Sequence, residues 1–219
     1  VQQRPDPARQ HMPEEPPAGI SHLTGDTAKV ERLSVEAHWY DAQPRPFDLM
    51  TPIWFRQGEG HKQVQTPKTT EQLQQEMAII IANGGRYHAW DNPSRASGLN
   101  ETRQAFLGNV AAPFLRTRQR WCLGSERLAC VSVLFTSTHH YADTRSLQAC
   151  LPSASWASLA LRGTSDVLSA SHLDYELVSR ERLLRQDVQS NLLIAEDLAA
   201  AEPDEIVALR QFAATGGTL

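Results

Sequence analysis

The chain has 219 residues, 41% of them apolar, and a formal net charge of −4. That length fits one or two domains with a packed core, and the acidic balance argues against a nucleic-acid or anionic-membrane partner. No apolar run of about 20 residues marks a transmembrane helix, and the opening "VQQRPDPARQHMPEEPPAGI" lacks the apolar centre of a signal peptide.

Residues 1 to 18 are rich in proline, glutamine and charge and are expected to be an extended loop or a frayed end. "GISHLTG" (Gly19 to Gly25) reads as a short strand, followed at once by Asp26. Val30, Leu33, Ala37 and Tyr40 recur at helical spacing, so a helix is expected from about Thr27 to Ala42. Pro44 and Pro46 stop it. "RPFDLMTPIWF" then reads as a buried strand from Pro46 to Met50 that breaks at Thr51-Pro52, and "RQGEGHKQVQTPK" reads as a polar loop.

Thr69 and Gln72 have the spacing of a capping box, in which a hydroxyl and a side-chain amide satisfy each other's orphan N–H groups. Leu73, Met77, Ile80 and Ile81 give the helix that follows an apolar face. Asn83-Gly84-Gly85 ends it, because glycine adopts the left-handed conformation at low cost. "RYHAW" (Arg86 to Trp90) reads as a strand closed by the turn "DNPS". A long helix is expected from about Asn100 to Arg120, with Phe106, Val110 and Phe114 as its buried stripe and a kink at Pro113. Its basic end, "RTRQR", suits the negative helix C-terminus. Strand and helix therefore alternate from 19 to 120, which implies parallel strands with right-handed crossovers.

The pattern breaks at "LGSER" (Leu123 to Arg127) and restarts. "LACVSVLFT" (Leu128 to Thr136) is a continuous apolar strand of the kind covered on both faces. A helical stretch over Ser153 to Ser171 follows, weakened by Gly163. Then come a strand in "DYELV", a short helix in "RERLL" and a strand in "NLLIAE". "EPDEIVALRQFAATGG" is a helix with Pro203 in its first turn, acids at its start and Gly216-Gly217 at its end. "TL" reads as the start of another strand.

Cys122, Cys130 and Cys150 are odd in number and widely spaced, so they form neither a disulfide framework nor a zinc site and read as inert thiols. His139-His140 follow the "VLFT" strand. Adjacent side chains diverge and no third ligand has suitable spacing, so they read as loop residues and no metal is expected. No G-x-G-x-x-G follows "VLFT", so no nucleotide or other cofactor is expected.

The order of elements in "LDYELVSRERLLRQDVQSNLLIAEDLAAAEPDEIVALRQFAATGGTL" resembles the trimerisation domain of bacterial β-galactosidases and related glycoside hydrolases. The likeness extends over about Leu128 to Leu219. "RPFDLMT", "TPKTTEQLQQEMAIIIANGGRYHAW" and "FLRTRQRWC" resemble barrel strand seven, the next helix with strand eight, and the closing helix of the same enzymes. Within them the chain is most similar to α-L-fucosidase-like or amylase-like hydrolases carrying this C-terminal domain. The resemblance implies an α/β chain. Residues 1–122 would be the last βα units of a (β/α)8 TIM barrel, and residues 127–219 a flavodoxin-like, trimerisation-type domain truncated at its C-terminal end. It further implies a piece of a longer glycoside hydrolase, with a carbohydrate substrate, homo-oligomeric assembly, and no nucleic-acid or membrane partner. The alternative is a non-catalytic carbohydrate-binding or oligomerisation protein derived from a decayed barrel.

In the β-galactosidases that the chain resembles, strand seven ends in a nucleophilic glutamate, and Thr51 stands at that position here. Threonine cannot form the glycosyl ester of a retaining carboxylate mechanism. In fucosidase-like barrels the nucleophile is carried on strand four, which would lie upstream of Val1 and would leave Thr51 as a lining residue at the rim of the site. The catalytic residues are therefore unassigned. The substrate-binding candidates are Asp26, Trp54, His88, Trp90 and Asp91. Asp26 and Asp91 follow strands, and a helix cap and a turn residue are the favoured readings of the two. Trp54, His88 and Trp90 lie near strand ends, where an aromatic face suits the C–H side of a pyranose, and packing under a loop is their other reading. Lys68 reads as solvated rather than as a hydroxyl donor, and Glu36 and Glu76 fall inside helices, away from the expected face.

Overall fold

The computed structural model describes residues 26–43, 45–57, 64–91, 98–136, 159–196, 198 and 201–219. The strand expected over Gly19–Gly25, the turn after Asp91, His139, His140, Cys150 and the first part of the Ser153–Ser171 helix lie outside them. There are two compact units, one spanning Ser21–Arg127 and one containing Leu128–Leu219. Both are mixed α/β with small parallel sheets. No described helix is long and apolar enough to cross a membrane.

In the first unit, helix α1 (Asp26–Asp41) precedes strand β1 (Asp48–Pro52). Strands β2 (Trp54–Gln57) and β3 (Val64–Pro67) pair antiparallel. Helix α2 (Thr70–Ala82) then crosses to strand β4 (Arg86–Trp90), which pairs parallel with β1, and helix α3 (Glu101–Cys122) follows.

Strand β1 lies two residues later than the expected Pro46–Met50, and backbone chemistry explains the shift. Arg86 N donates to Phe47 O at 3.0 Å and Ile53 N donates to Trp90 O at 3.2 Å, so the odd-numbered residues turn their polar groups toward β4. Pro52 lacks an N–H, but its nitrogen faces the other side and costs the ladder nothing. Within the stretch 56–68, expected to be a polar loop, residues 56–57 and 64–67 instead pair in the β2–β3 hairpin. Its pairing is carried by the main chain and leaves no apolar alternation in the sequence. The hairpin is joined to β1 by Lys68 N, which donates to Ile53 O at 3.0 Å.

Helix α2 has its capping box: Gln72 N donates to Thr69 Oγ1 at 3.3 Å, and Thr69 N donates to Gln72 Oε1 at 2.9 Å. Gly84, just past the helix end, has φ +75°, the left-handed region that glycine alone enters freely. Arg127 ties the ends of α1 and α2 together, with Nε 2.8 Å from Asp41 Oδ2 and an N–H on Asn83 Oδ1. Asn100 caps α3 by accepting from Arg103 N at 3.0 Å, and α3 continues past Pro113 to Cys122. Of its expected stripe Val110 is buried, while Phe106 and Phe114 are half-buried.

Two apolar clusters hold the unit. Leu33, Ala37, Leu49 and Ile80 form one, and Ile53, Trp54, Leu73, Met77, Val110 and Ala111 form the other. Leu49 and Tyr87 thus face helices. Asp48, Met50 and His88, which alternate with them along the strands, occupy the opposite face.

In the second unit, strand β5 (Val131–Leu134) lies between strands β6 (Tyr175–Val178) and β7 (Leu193–Ala195), all parallel. Thr218 bridges Leu192 in parallel on the outer side of β7. Helices α4 (Leu159–Ala170), α5 (Arg180–Leu184) and α6 (Pro203–Ala214) follow β5, β6 and β7 in turn. Strand β5 is shorter than the expected Leu128–Thr136: Leu128 is 87% exposed, whereas Val131 to Leu134 are all buried, as are Tyr175 to Val178 of β6. Leu134, Val178, Leu183, Leu193, Leu209 and Phe212 make the core between sheet and helices.

Candidate functional site

The open face of the β1–β4 pair carries accessible polar side chains. Asp48 opens β1 opposite Arg86, which opens β4, and Met50 lies opposite His88. The His88 ring reaches across the strands, with Nδ1 3.1 Å from Asp48 Oδ2. Both side chains are more than half exposed, at 56% and 62%. A groove of about 390 Å³ runs beside them, lined by Phe47, Asp48, Arg86, Tyr87 and His88 among others.

The residues expected to bind substrate do not assemble together. His88 lies on this open face. Trp90 is half-buried and tilted against Trp54, with ring centroids 5.3 Å apart. Trp54 has no exposed surface and packs with Ile53, Leu73 and Met77, so its ring is part of the core. Asp91 is turned inward: its side chain is 5% exposed and its carboxylate accepts from Arg103 Nη1 at 2.9 Å and Gln104 Nε2 at 3.4 Å. It joins the end of β4 to α3. Asp26 is the first residue of α1, and its side chain lies outside the described residues.

Thr51 is not at the rim. It is 6% exposed and its hydroxyl donates to the Tyr87 hydroxyl at 3.4 Å, on the helix-covered side of the strands. Burial pushes the Tyr87 phenol well above its ordinary range; the Thr51 hydroxyl opposes that shift and the Glu76 charge adds to it. Lys68 is not solvated. Its Nζ lies 2.5 and 2.6 Å from the two carboxylate oxygens of Glu76, and both side chains are buried.

Sequence reasoning passed over Asp48 and Arg86. Their signal was faint: one polar residue at the first position of each of two short strands, meaningful only once the register puts them side by side. In the second unit, Glu176 makes a polar network inside the sheet. It accepts from Ser132 Oγ at 2.6 Å, Gln189 N at 2.8 Å and Arg182 Nη2 at 2.7 Å, and Arg182 Nε also reaches Asp187 Oδ2 at 3.1 Å. At the carboxyl end of β7, burial raises the Glu196 carboxyl above the usual range, and a hydrogen bond with Thr164 opposes that. Among the described residues no group of three or more His, Cys, Asp or Glu is placed to hold a metal ion.

No protein-family profile matches the sequence, and no curated protein matches it. Among solved structures, the chain is similar to the α-L-fucosidase isoenzyme 2 from Paenibacillus thiaminolyticus, with a TM-score of 0.67 and 19% sequence identity. The likeness covers 86% of this chain and 26% of the fucosidase, so the chain spans about a quarter of that enzyme's length. The fold is therefore similar to that of the matching quarter of the fucosidase. At that identity the likeness concerns architecture and transfers no residue's role.

Proposed function

We propose that the chain is a part of a glycoside hydrolase that cleaves glycosidic bonds in oligo- or polysaccharides. The first unit contributes the last βα units of a (β/α)8 barrel. The second is a flavodoxin-like domain that serves homo-oligomeric assembly. The observation that carries this reading is the likeness to a fucosidase over 86% of the chain. The second unit adds support. Counting from β5, its strand order is 2-1-3, with Thr218 in the place of a fourth strand, and the flavodoxin-like order is 2-1-3-4-5.

Glycoside hydrolysis needs two carboxyl groups flanking the scissile bond, ~5–5.5 Å apart in retaining enzymes and ~6.5–9.5 Å apart in inverting ones. Among the described residues Asp48 is the one carboxylate that lines the groove. The reading assigns at least one catalytic carboxylate to a part of the barrel that this chain does not contain, and the chain alone is expected to be inactive. The test is a panel of aryl glycosides, an aryl α-L-fucoside among them, assayed with this chain and with the longer polypeptide encoded with it. Turnover by the longer polypeptide alone is the expected outcome. Hydrolysis in proportion to the amount of this chain overturns the assignment of the carboxylates, and an inert longer polypeptide overturns the enzyme reading.

A further inference from the structure

We infer that Trp90 forms a wall of the substrate site at the carboxyl end of β4, and that Asp91 is a positioning residue that fixes Trp90 there through Arg103 and Gln104, rather than an acid or nucleophile of the reaction. The sugar as ligand and the barrel as frame rest on the glycoside hydrolase reading. The fixing of Trp90 rests on its own contacts.

The register pairs Asp48 with Arg86, Met50 with His88 and Pro52 with Trp90, all of one parity and opposite to the helix-facing Leu49 and Tyr87. In a (β/α)8 barrel, residues of that parity point inward and stack in layers, and the site lies at the carboxyl ends of the strands. These pairs are then successive layers, and the Pro52–Trp90 layer is the one at the mouth. Asp48 and Arg86 fall at the opposite, amino end. Register and strand direction alone set this order, whatever the exposure of each side chain.

Trp90 is held by its neighbours. Its carbonyl accepts from Ile53 N at 3.2 Å. Its ring lies 5.3 Å from that of Trp54, at an interplanar angle of 51°, and Trp54 has no exposed surface, so it is a fixed backstop. The next residue, Asp91, accepts from Arg103 Nη1 at 2.9 Å through one carboxylate oxygen and from Gln104 Nε2 at 3.4 Å through the other, with 5% of its side chain exposed. Arg103 and Gln104 lie in the first turn of α3, so the carboxylate ties the end of β4 to the helix that follows. A glycosidase carboxyl must reach the glycosidic oxygen, the attacking water or the sugar carbon. Asp91, with both oxygens engaged by α3, is withdrawn from that role. An indole fixed at this place offers an apolar surface to the C–H side of a pyranose.

The experiment has two arms. In the 219-residue chain, near-ultraviolet circular dichroism reads the Trp54–Trp90 pair as the signal lost in Trp90→Phe. Asp91→Ala should lose most of that signal. Asp91→Asn, whose amide oxygen still accepts from Arg103, should keep it. In the longer polypeptide, steady-state kinetics on an aryl glycoside should show KM raised about tenfold or more by Trp90→Ala with kcat little changed, as for binding shared by ground and transition states. Asp91→Ala should raise KM in the same way, and adding it to Trp90→Ala should cost nothing further, because the two act as one. Asp91→Asn should return KM near the parent's, with an unchanged pH profile. Asp91→Asn decides the point even where Asp91→Ala does not fold. If it is inactive, or loses one limb of the pH profile, Asp91 is an acid or base of the reaction; the inference is then overturned while the hydrolase reading stands. Additive effects of the two alanine variants, an unchanged KM in Trp90→Ala, or a dichroism signal that survives Asp91→Ala overturn it too. A longer polypeptide that turns over no glycoside overturns the sugar site together with the reading beneath it, and the dichroism then decides the fixing of Trp90 by itself.

Discussion

Lys68 Nζ sits between both carboxylate oxygens of Glu76, at 2.5 and 2.6 Å, with 1% and 6% of the two side chains exposed. The pair links the end of β3 to the second turn of α2. Removing one partner breaks a buried ion pair, so Lys68→Met or Glu76→Gln should each cost about 3–5 kcal/mol in denaturant unfolding. Replacing both, Lys68→Met with Glu76→Leu, should recover most of that loss, because two apolar side chains remove the desolvation cost along with the attraction. A double variant as unstable as the worse single one would show that the pair does more than neutralise itself.

Thr51→Ala removes one hydroxyl whose partner is Tyr87. The stability loss should be about 0.5–1.5 kcal/mol. In the longer polypeptide, turnover should change by about tenfold or less. A folded variant that loses more than about 10⁴ of its rate would place chemistry on this strand after all, because losing a covalent nucleophile costs far more than a hydrogen bond.

The Tyr87 phenol titrates higher in the folded chain than its unfolded value of about 10. The folded state therefore keeps a proton that the unfolded state gives up. Its contribution to stability is complete below about pH 10 and is lost as pH rises toward the folded pKa. Denaturation midpoints measured across alkaline pH should fall more steeply for the parent than for Tyr87→Phe. Parallel slopes would mean that the phenol ionises without penalty.

Gly85 follows the C-terminal turn of α2, and a Cβ there would run into the Phe47 ring, with Ile80 Cγ2 at 3.1 Å on another side. Phe47 is itself stacked on Tyr40 at 5.6 Å. Gly85→Ala should therefore destabilise by about 1–3 kcal/mol through overpacking. Adding Phe47→Leu should relieve part of that loss, which thermal melts of the single and double variants would test.

In the second unit, Glu176 and Asp187 both pair with Arg182, but Glu176 is 5% exposed and Asp187 is 57% exposed. Glu176→Ala should cost about 3–5 kcal/mol, since it removes the buried acceptor of Arg182 Nη2, Ser132 Oγ and Gln189 N. Asp187→Ala should cost about 1 kcal/mol or less. Equal losses in urea unfolding would show that the surface carboxylate shares the burden of holding Arg182.

Local signals were legible in the sequence wherever local chemistry sets the structure. The Thr69–Gln72 box forms both of its bonds, "RYHAW" is a strand over its full length, and Pro203 starts α6. The β2–β3 hairpin was not legible, because its strands are defined by backbone pairing and "RQGEGHKQVQTPK" has the composition of a loop. Nor was the fate of Lys68, whose burial depends on a carboxylate eight residues later facing the same interior. The Asp48–His88 contact spans 40 positions and exists only in one strand register. Residue type pointed to His88, but nothing short of the pairing pointed to Asp48.

Tyr87 packs against both apolar clusters of the first unit, and α2 supplies Ile80 to one and Leu73 and Met77 to the other. The two clusters are thus joined by one ring and one helix. Amide protons of α1 and α3, far apart in sequence, should therefore exchange through the same opening event. Cavities cut on the two sides, Leu49→Ala and Met77→Ala, should show a coupling energy of about 0.5 kcal/mol or more where separate clusters would sum.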